Sequence, residues 1–132
     1  MLLLTFVLIG LFFGAKSYMA HQKEAELEFE KRALEALLCS DAWVKRKDGK
    51  IAIQIDFYEG GTAYFDNHRV SGAGYWKVID GNTFEFCCSA WTGGEAIPYE
   101  YDIVYDENGV PFFDSGSGVH TFRRISDFGK TK

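Results

Sequence analysis

The hydrophobic period changes twice along the chain. From Met1 to Ala15 the residues are uncharged and mostly apolar, and Ser17 to Ala20 extend the run beyond Lys16. Crossing a bilayer takes about 20 apolar residues. This segment reaches that length if Lys16 snorkels to the interface, which places Tyr18 in the headgroup belt. Residues 21–38 lack Pro and Gly and consist largely of strong helix formers. Glu28 and Arg32, and Lys31 and Glu35, stand one helical turn apart. Leu27, Leu34 and Leu38 form one apolar stripe, and Phe29, Ala33 and Ala36 or Leu37 an adjacent one. The spacing predicts a helix running from the membrane, with its last turns packed on the C-terminal domain. A coiled-coil partner is the other use of such a stripe.

After Ser40 the period becomes two. Ile51, Ile53, Ile55 and Phe57 alternate with Ala52, Gln54, Asp56 and Tyr58, a half-buried strand. Further strands are expected at Thr62–Asp66, Gly74–Ile79, Thr83–Ser89, Tyr99–Tyr105, Val110–Asp114 and Val119–Ile125. Glu59-Gly60-Gly61, Asp80-Gly81-Asn82, Asp106-Glu107-Asn108-Gly109 and Gly116-Ser117-Gly118 read as turns between them. The fold class is mainly β: a small antiparallel β-barrel of seven or eight short strands preceded by one long N-terminal helix. Closing the sheet removes exposed edges, and an open sandwich is the structural alternative. The chain divides into a transmembrane anchor (1–20), a charged amphipathic helix (21–40), the barrel domain (41–125) and a polar tail (126–132).

Composition sharpens this picture. Twelve Phe, seven Tyr and three Trp make up 17% of the residues, so a small domain can still bury a large apolar area. The net charge is −5 and the Lys and Arg are dispersed. A nucleic-acid binder needs a basic stripe, so that class is set aside. Tyr99, Tyr101 and Tyr105, with Trp76, Trp91 and Phe112, could line a pocket for an apolar or aromatic ligand. They could equally be core, because barrels this small are filled by their own side chains.

Three cysteines, Cys39, Cys87 and Cys88, leave at least one unpaired within the chain. Alternation puts Cys88 inside with Phe84 and Phe86, and Cys87 outside with Glu85. A disulfide from Cys39 to Cys88 or Cys87, pinning the helix end to the sheet, is one expectation; free thiols acting as small hydrophobes are the other. His21, His68 and His120 lack ligand spacing, so no metal or other cofactor is expected. No carboxylate pair or nucleophile elbow stands out, and the chain is read as not an enzyme.

Trp43, the hairpin Phe57-Tyr58-Glu59-Gly60-Gly61-Thr62-Ala63, the run Gly74-Tyr75-Trp76-Lys77-Val78-Ile79-Asp80-Gly81-Asn82 and the late strand Thr121-Phe122-Arg123-Arg124-Ile125 resemble small bacterial lipocalin-like domains over about 85 residues. That resemblance implies hairpin geometry and core aromatics, without an assigned activity. The layout of apolar helix, amphipathic helix and β-domain also resembles type IV pilins and minor pilins, although Thr5 stands where mature pilins usually carry Glu.

An uncleaved anchor is expected. No basic residue precedes the apolar run, and neither Phe13-Gly14-Ala15 nor Tyr18-Met19-Ala20 offers a small-x-small cleavage site. Lys16 and Lys23 would by themselves hold the domain on the cytoplasmic side. Short N-terminal anchors commonly export the domain attached to them, and the expected location is a single-pass membrane protein with an extracytoplasmic β-domain. The expected function is non-enzymatic: protein–protein contact or small apolar ligand binding in the cell envelope. The expected partners are membrane lipid and an envelope protein. A structural subunit, minor-pilin-like or accessory to a membrane complex, is the alternative.

Overall fold

The structure, a computed structural model, describes residues 22–115 and 120–128. The expected anchor and the Gly116-Ser117-Gly118 turn lie outside the described residues. Among those described, no helix is long and apolar enough to cross a membrane.

Helix α1 occupies residues 22–39. Its two apolar stripes divide by position along the axis. Leu34 and Leu38 are buried and Leu37 and Cys39 half-buried against the core, whereas every residue from 22 to 30 is exposed. The last turns pack on the barrel core, as the spacing predicts. The helix stops because its final carbonyls find other donors. Trp43 Nε1 donates to the Leu38 oxygen at 3.1 Å, and Ser40 gives both its N–H and its hydroxyl to the Leu37 oxygen.

The strands are β1 (Trp43–Lys47), β2 (Lys50–Tyr58), β3 (Thr62–Asp66), β4 (Ser71–Val78), β5 (Thr83–Cys87), β6 (Tyr99–Asp102), β7 (Val104–Tyr105), β8 (Pro111–Asp114) and β9 (Thr121–Arg124). They form one antiparallel sheet in the order β6-β5-β4-β3-β2-β1-β9-β8-β7, not a sandwich. The two ends of this order, β6 and β7, are consecutive in the chain. They are separated only by Ile103, whose side chain is buried and whose N–H donates to the Asn82 oxygen. The segment Tyr99–Tyr105 therefore pairs with β5 through its first half and with β8 through its second. It draws the ends together into a nearly closed barrel. Nine strands replace the expected seven or eight because β1 lies ahead of the first strand placed by the period and because Ile103 breaks the ladder of this segment. Counted as one bent strand, it gives eight, each beside its sequence neighbour, with β9 returning to β1 at Trp43↔Arg124 and Val44↔Arg123.

Alternation sends Ile53, Ile55 and Phe57 of β2, Ala63 and Phe65 of β3, and Phe84 and Phe86 of β5 inward. Leu34 and Leu38 of α1 plug one mouth of the barrel. Residues 126–128, beyond the expected barrel boundary, are also structured. A short 3-10 turn, Ile125–Asp127, buries the Asp127 carboxylate, which accepts from Arg124 Nε at 2.7 Å. Asp41 ties this turn to the start of β1 by accepting from the Ser126 and Ala42 N–H groups.

Candidate functional site

The mouth opposite α1 carries a helix not expected from the strand pattern, α2 (Ser89–Thr92). Gly93 succeeds it in the left-handed region at φ 78, with its N–H donating to the Ser89 oxygen. A glycine just past Ser-Ala-Trp-Thr is the sequence signal for such a helix end. The helix sets Trp91 across the barrel mouth. The Trp91 ring lies 5.4 Å from that of Phe65 and 5.9 Å from that of Phe122, and meets His120 edge-on at 5.5 Å. Its Nε1 donates to the Tyr101 hydroxyl at 2.8 Å.

Lys45 and His120 complete this layer. Lys45 lies opposite Ile53 in register and so shares the inward face with Trp43. Its Nζ donates to His120 Nδ1 at 2.7 Å, which puts the proton of a neutral ring on Nε2. The ring is positioned by its backbone: the Ser115 N–H donates to the His120 oxygen at 2.8 Å, and the His120 N–H to Ser115 Oγ at 3.1 Å. Burial, and then the nearby Lys45 charge, hold the imidazole below its ordinary value. Burial pushes the Tyr101 phenol above its ordinary value, offset in part by the Trp91 N–H. Both groups are thus neutral near pH 7. The cluster brings donors, acceptors and ring faces together across the described part of this mouth.

The neutral imidazole makes stability depend on pH. A histidine whose folded pKa is depressed stabilises the fold above its unfolded value of 6.5. That contribution is lost as pH falls through the lower folded value. The unfolding midpoint is expected to drop between pH 7 and pH 5 in the wild type, and His120→Gln to flatten that slope. Asp80 and Asp106 act in a separate, lower window. Backbone N–H groups, foremost those of Asn82 and Val110 respectively, hold them below 3.8, so their contribution is lost only as pH falls below that value. An unchanged slope in His120→Gln would remove His120 as its source.

Of the six aromatic residues singled out by sequence, the structure joins Trp91 and Tyr101 and leaves Tyr99 beside them, half exposed at the same mouth. The others go elsewhere. Trp76 is buried at the α1 end, with Nε1 donating to the Tyr58 and Thr62 oxygens at 3.0 and 2.7 Å. Tyr105 is 58% exposed near Phe29 of α1. Phe112 faces outward beneath the Arg123 guanidinium, 4.9 Å from its ring centre. The register explains this outward position, because Phe112 pairs with Arg123 while the buried Phe113 pairs with Phe122.

The cysteines are all free thiols, so the Cys39–Cys88 bridge is not formed. Cys88 is buried where alternation puts it, with Sγ 3.8 and 3.7 Å from the Gly72 and Ala73 oxygens. Cys39 instead lines an open cleft of about 650 Å³ between α1 and the β2–β3 turn, with Glu35, Glu59 and Trp76. Burial, then the Glu59 and Glu35 carboxylates, push its thiol up, which makes it a poor nucleophile. Among the described residues no group of His, Cys, Asp and Glu has metal-binding geometry.

Comparison with known protein families, curated proteins and solved structures finds no match.

Proposed function

We propose that this chain is a membrane-anchored, non-enzymatic binding module, lipocalin-like in plan, that works by protein–protein contact in the cell envelope. The carrying observation is the barrel interior. The Phe113 ring stands 4.9–6.5 Å from the rings of Trp43, Phe57, Phe84, Tyr101 and Phe122, so rings from six strands occupy the volume a carried ligand would need. The apolar-ligand branch of the expectation is therefore the weaker one. Recognition passes to the outer surface, where Tyr58, Tyr64, Tyr75 and Phe29 are exposed.

The test has three parts. The full chain, extracted in mild detergent, is expected to retain a partner at fixed stoichiometry. Anilinonaphthalene sulfonate is expected not to bind the folded barrel; saturable one-to-one binding would overturn the contact reading. Glu107→Cys, in an exposed turn, is expected to react with a membrane-impermeant maleimide in intact cells beyond the wild-type background. Labelling only after lysis would place the domain in the cytoplasm.

The structural-subunit alternative has its own support. Residues 22–30 of α1 are exposed throughout, with Leu27 at 40% and Phe29 at 74%. Such a helix is available for packing against other helices in an assembly. Recovery of the chain within filaments would favour it.

A further inference from the structure

Three exposed tyrosines on the outside of the barrel share one region of the sheet. Tyr58 of β2 lies opposite Thr62 of β3, Thr62 opposite Tyr75 of β4, and Tyr75 opposite Cys87 of β5. These four positions make one row across four strands. Tyr64 sits in the next row, between Asp56 of β2 and Ala73 of β4. Side chains directly opposite on one face have Cβ atoms about 4.5–5.5 Å apart, so the rings share one surface separated by small residues. Tyr58 is 52%, Tyr64 41% and Tyr75 71% exposed.

The charge around these rings is one-sided. The outer face of β3–β6 carries Asp66, Glu85, Glu100 and Asp102 against one ammonium among its described residues, Lys77, which lies 4.0 Å from Glu85. Asp56 adds a carboxylate directly opposite Tyr64. Tyrosine faces attract cations through the ring quadrupole, and Asp56, beside Tyr64 in register, supplies the countercharge, its oxygens also accepting from Gln54 Nε2 at 3.1 and 3.4 Å. A guanidinium meets both demands: it stacks flat on a ring and donates two parallel hydrogen bonds to a carboxylate, which an ammonium cannot. Tyr and Arg are also the residue types that dominate binding energy at protein interfaces.

We propose that the outer face centred on Tyr58, Tyr64 and Tyr75 docks an arginine-bearing segment of a partner protein, with guanidinium groups stacked on the tyrosines and paired with Asp56. The proposal rests on the protein-contact reading above and names the partner's chemistry.

The test uses the full chain in detergent and a fluorescent peptide, Gly-Ser-Arg-Gly-Arg-Ser-Gly, followed by anisotropy. The peptide is expected to bind weakly, more weakly as salt rises, and more tightly than its lysine and citrulline counterparts. The double variant Tyr64→Ser/Tyr75→Ser is expected to lose about tenfold in affinity. Asp56→Asn is expected to weaken binding and reduce its salt dependence. The co-purified partner should be lost from the double variant. Equal binding of the lysine peptide, or unchanged affinity in the double variant, overturns the proposal. Retention of the partner by the double variant also overturns it, while leaving the contact reading standing. Absence of any fixed partner from the wild type overturns that reading and this proposal together. All three substituted side chains lie on the outer face of the sheet, and an unchanged far-ultraviolet spectrum separates lost binding from lost fold.

Discussion

Phe113→Ala is expected to cost about 3–5 kcal/mol, the range for removing a large ring from a packed core. Small domains hold only about 5–15 kcal/mol in total, so this one change removes a large share. Phe113 is 1% exposed and belongs to β8, yet it touches rings from β1, β2, β5, β6 and β9. It stacks nearly parallel on Phe122, with centroids 4.9 Å apart and planes at 15°, and meets Phe84 edge-on at 5.1 Å and 83°. Its neighbours cannot all collapse into the space, because Phe57 is itself fixed against Trp76, Phe84 and Phe86. A fall of more than about 10 °C in thermal midpoint is expected, with a smaller loss for Phe113→Leu. The cavity left by Phe113→Ala is apolar and enclosed, so this variant should also admit a small apolar molecule that the wild type excludes. A loss below about 1 kcal/mol would show that the interior is not packed around this ring, and would reopen the ligand-carrier reading.

Much of this interior is legible in the sequence, for a simple reason. Period-two alternation fixes which residues point inward wherever a strand is regular, so Ile53, Ile55 and Phe57, and Phe84, Phe86 and Cys88, fall where the pattern puts them. The pattern fails where a strand bends. Tyr99, Tyr101 and Tyr105 share one parity, yet Tyr101 is buried while Tyr99 and Tyr105 are about half exposed. Tyr99 lies at the barrel mouth, and Tyr105 lies beyond the break at Ile103. Phe112 and Phe113 are adjacent aromatics, and only the pairing with Arg123 and Phe122 decides which one faces in.

The mouth opposite α1 is less legible still. Trp91 and Tyr101 stand out as aromatics, but Lys45 and His120 meet across a separation of 75 residues, and no local pattern joins them. One signal does exist. Lys45 shares the inward parity of Trp43, and a lone charge on the inner face of a strand implies either the end of the barrel or a polar partner. Here it has both. The helix that carries Trp91 escapes the pattern because Ser89–Thr92 spans only four residues, too short for helical periodicity to register. Its position is set instead by what β4 lacks.

That dependence makes Gly74→Ala the second large effect. Gly74 is buried on the inner face of β4, opposite Ala63 of β3. Its backbone is ordinary, so the constraint is space and not conformation. A Cβ added there would overlap the Cys87 carbonyl oxygen, come within 2.8 Å of the Cys88 Cβ and within 3.2 Å of the Cys88 Cα. Two of those three atoms are backbone, which cannot swing aside as a side-chain tip can. Gly72, two residues earlier, repeats the arrangement more gently, since its Cβ would meet the Ala90 Cβ at 3.3 Å. The two glycines hollow out β4 where β5 ends, and α2 seats itself in the recess. Overpacking in a core typically costs about 1–3 kcal/mol, and the backbone overlap puts Gly74→Ala at about 3 kcal/mol. Gly72→Ala should cost less. Gly94→Ala, where a Cβ meets nothing within 4 Å, should stay within about 0.5 kcal/mol of the wild type. Chemical denaturation of the three variants checks this order. If Gly74→Ala unfolds like the wild type, α2 is not seated on β4 as described. A folded Gly74→Ala protein should show a second sign, because moving Cys88 moves α2. Trp91 would then be drawn away from the Tyr101 hydroxyl and the His120 ring, and its emission should shift toward that of a solvated indole. Trp91→Phe, measured alongside, assigns the shift to this residue and not to Trp43 or Trp76.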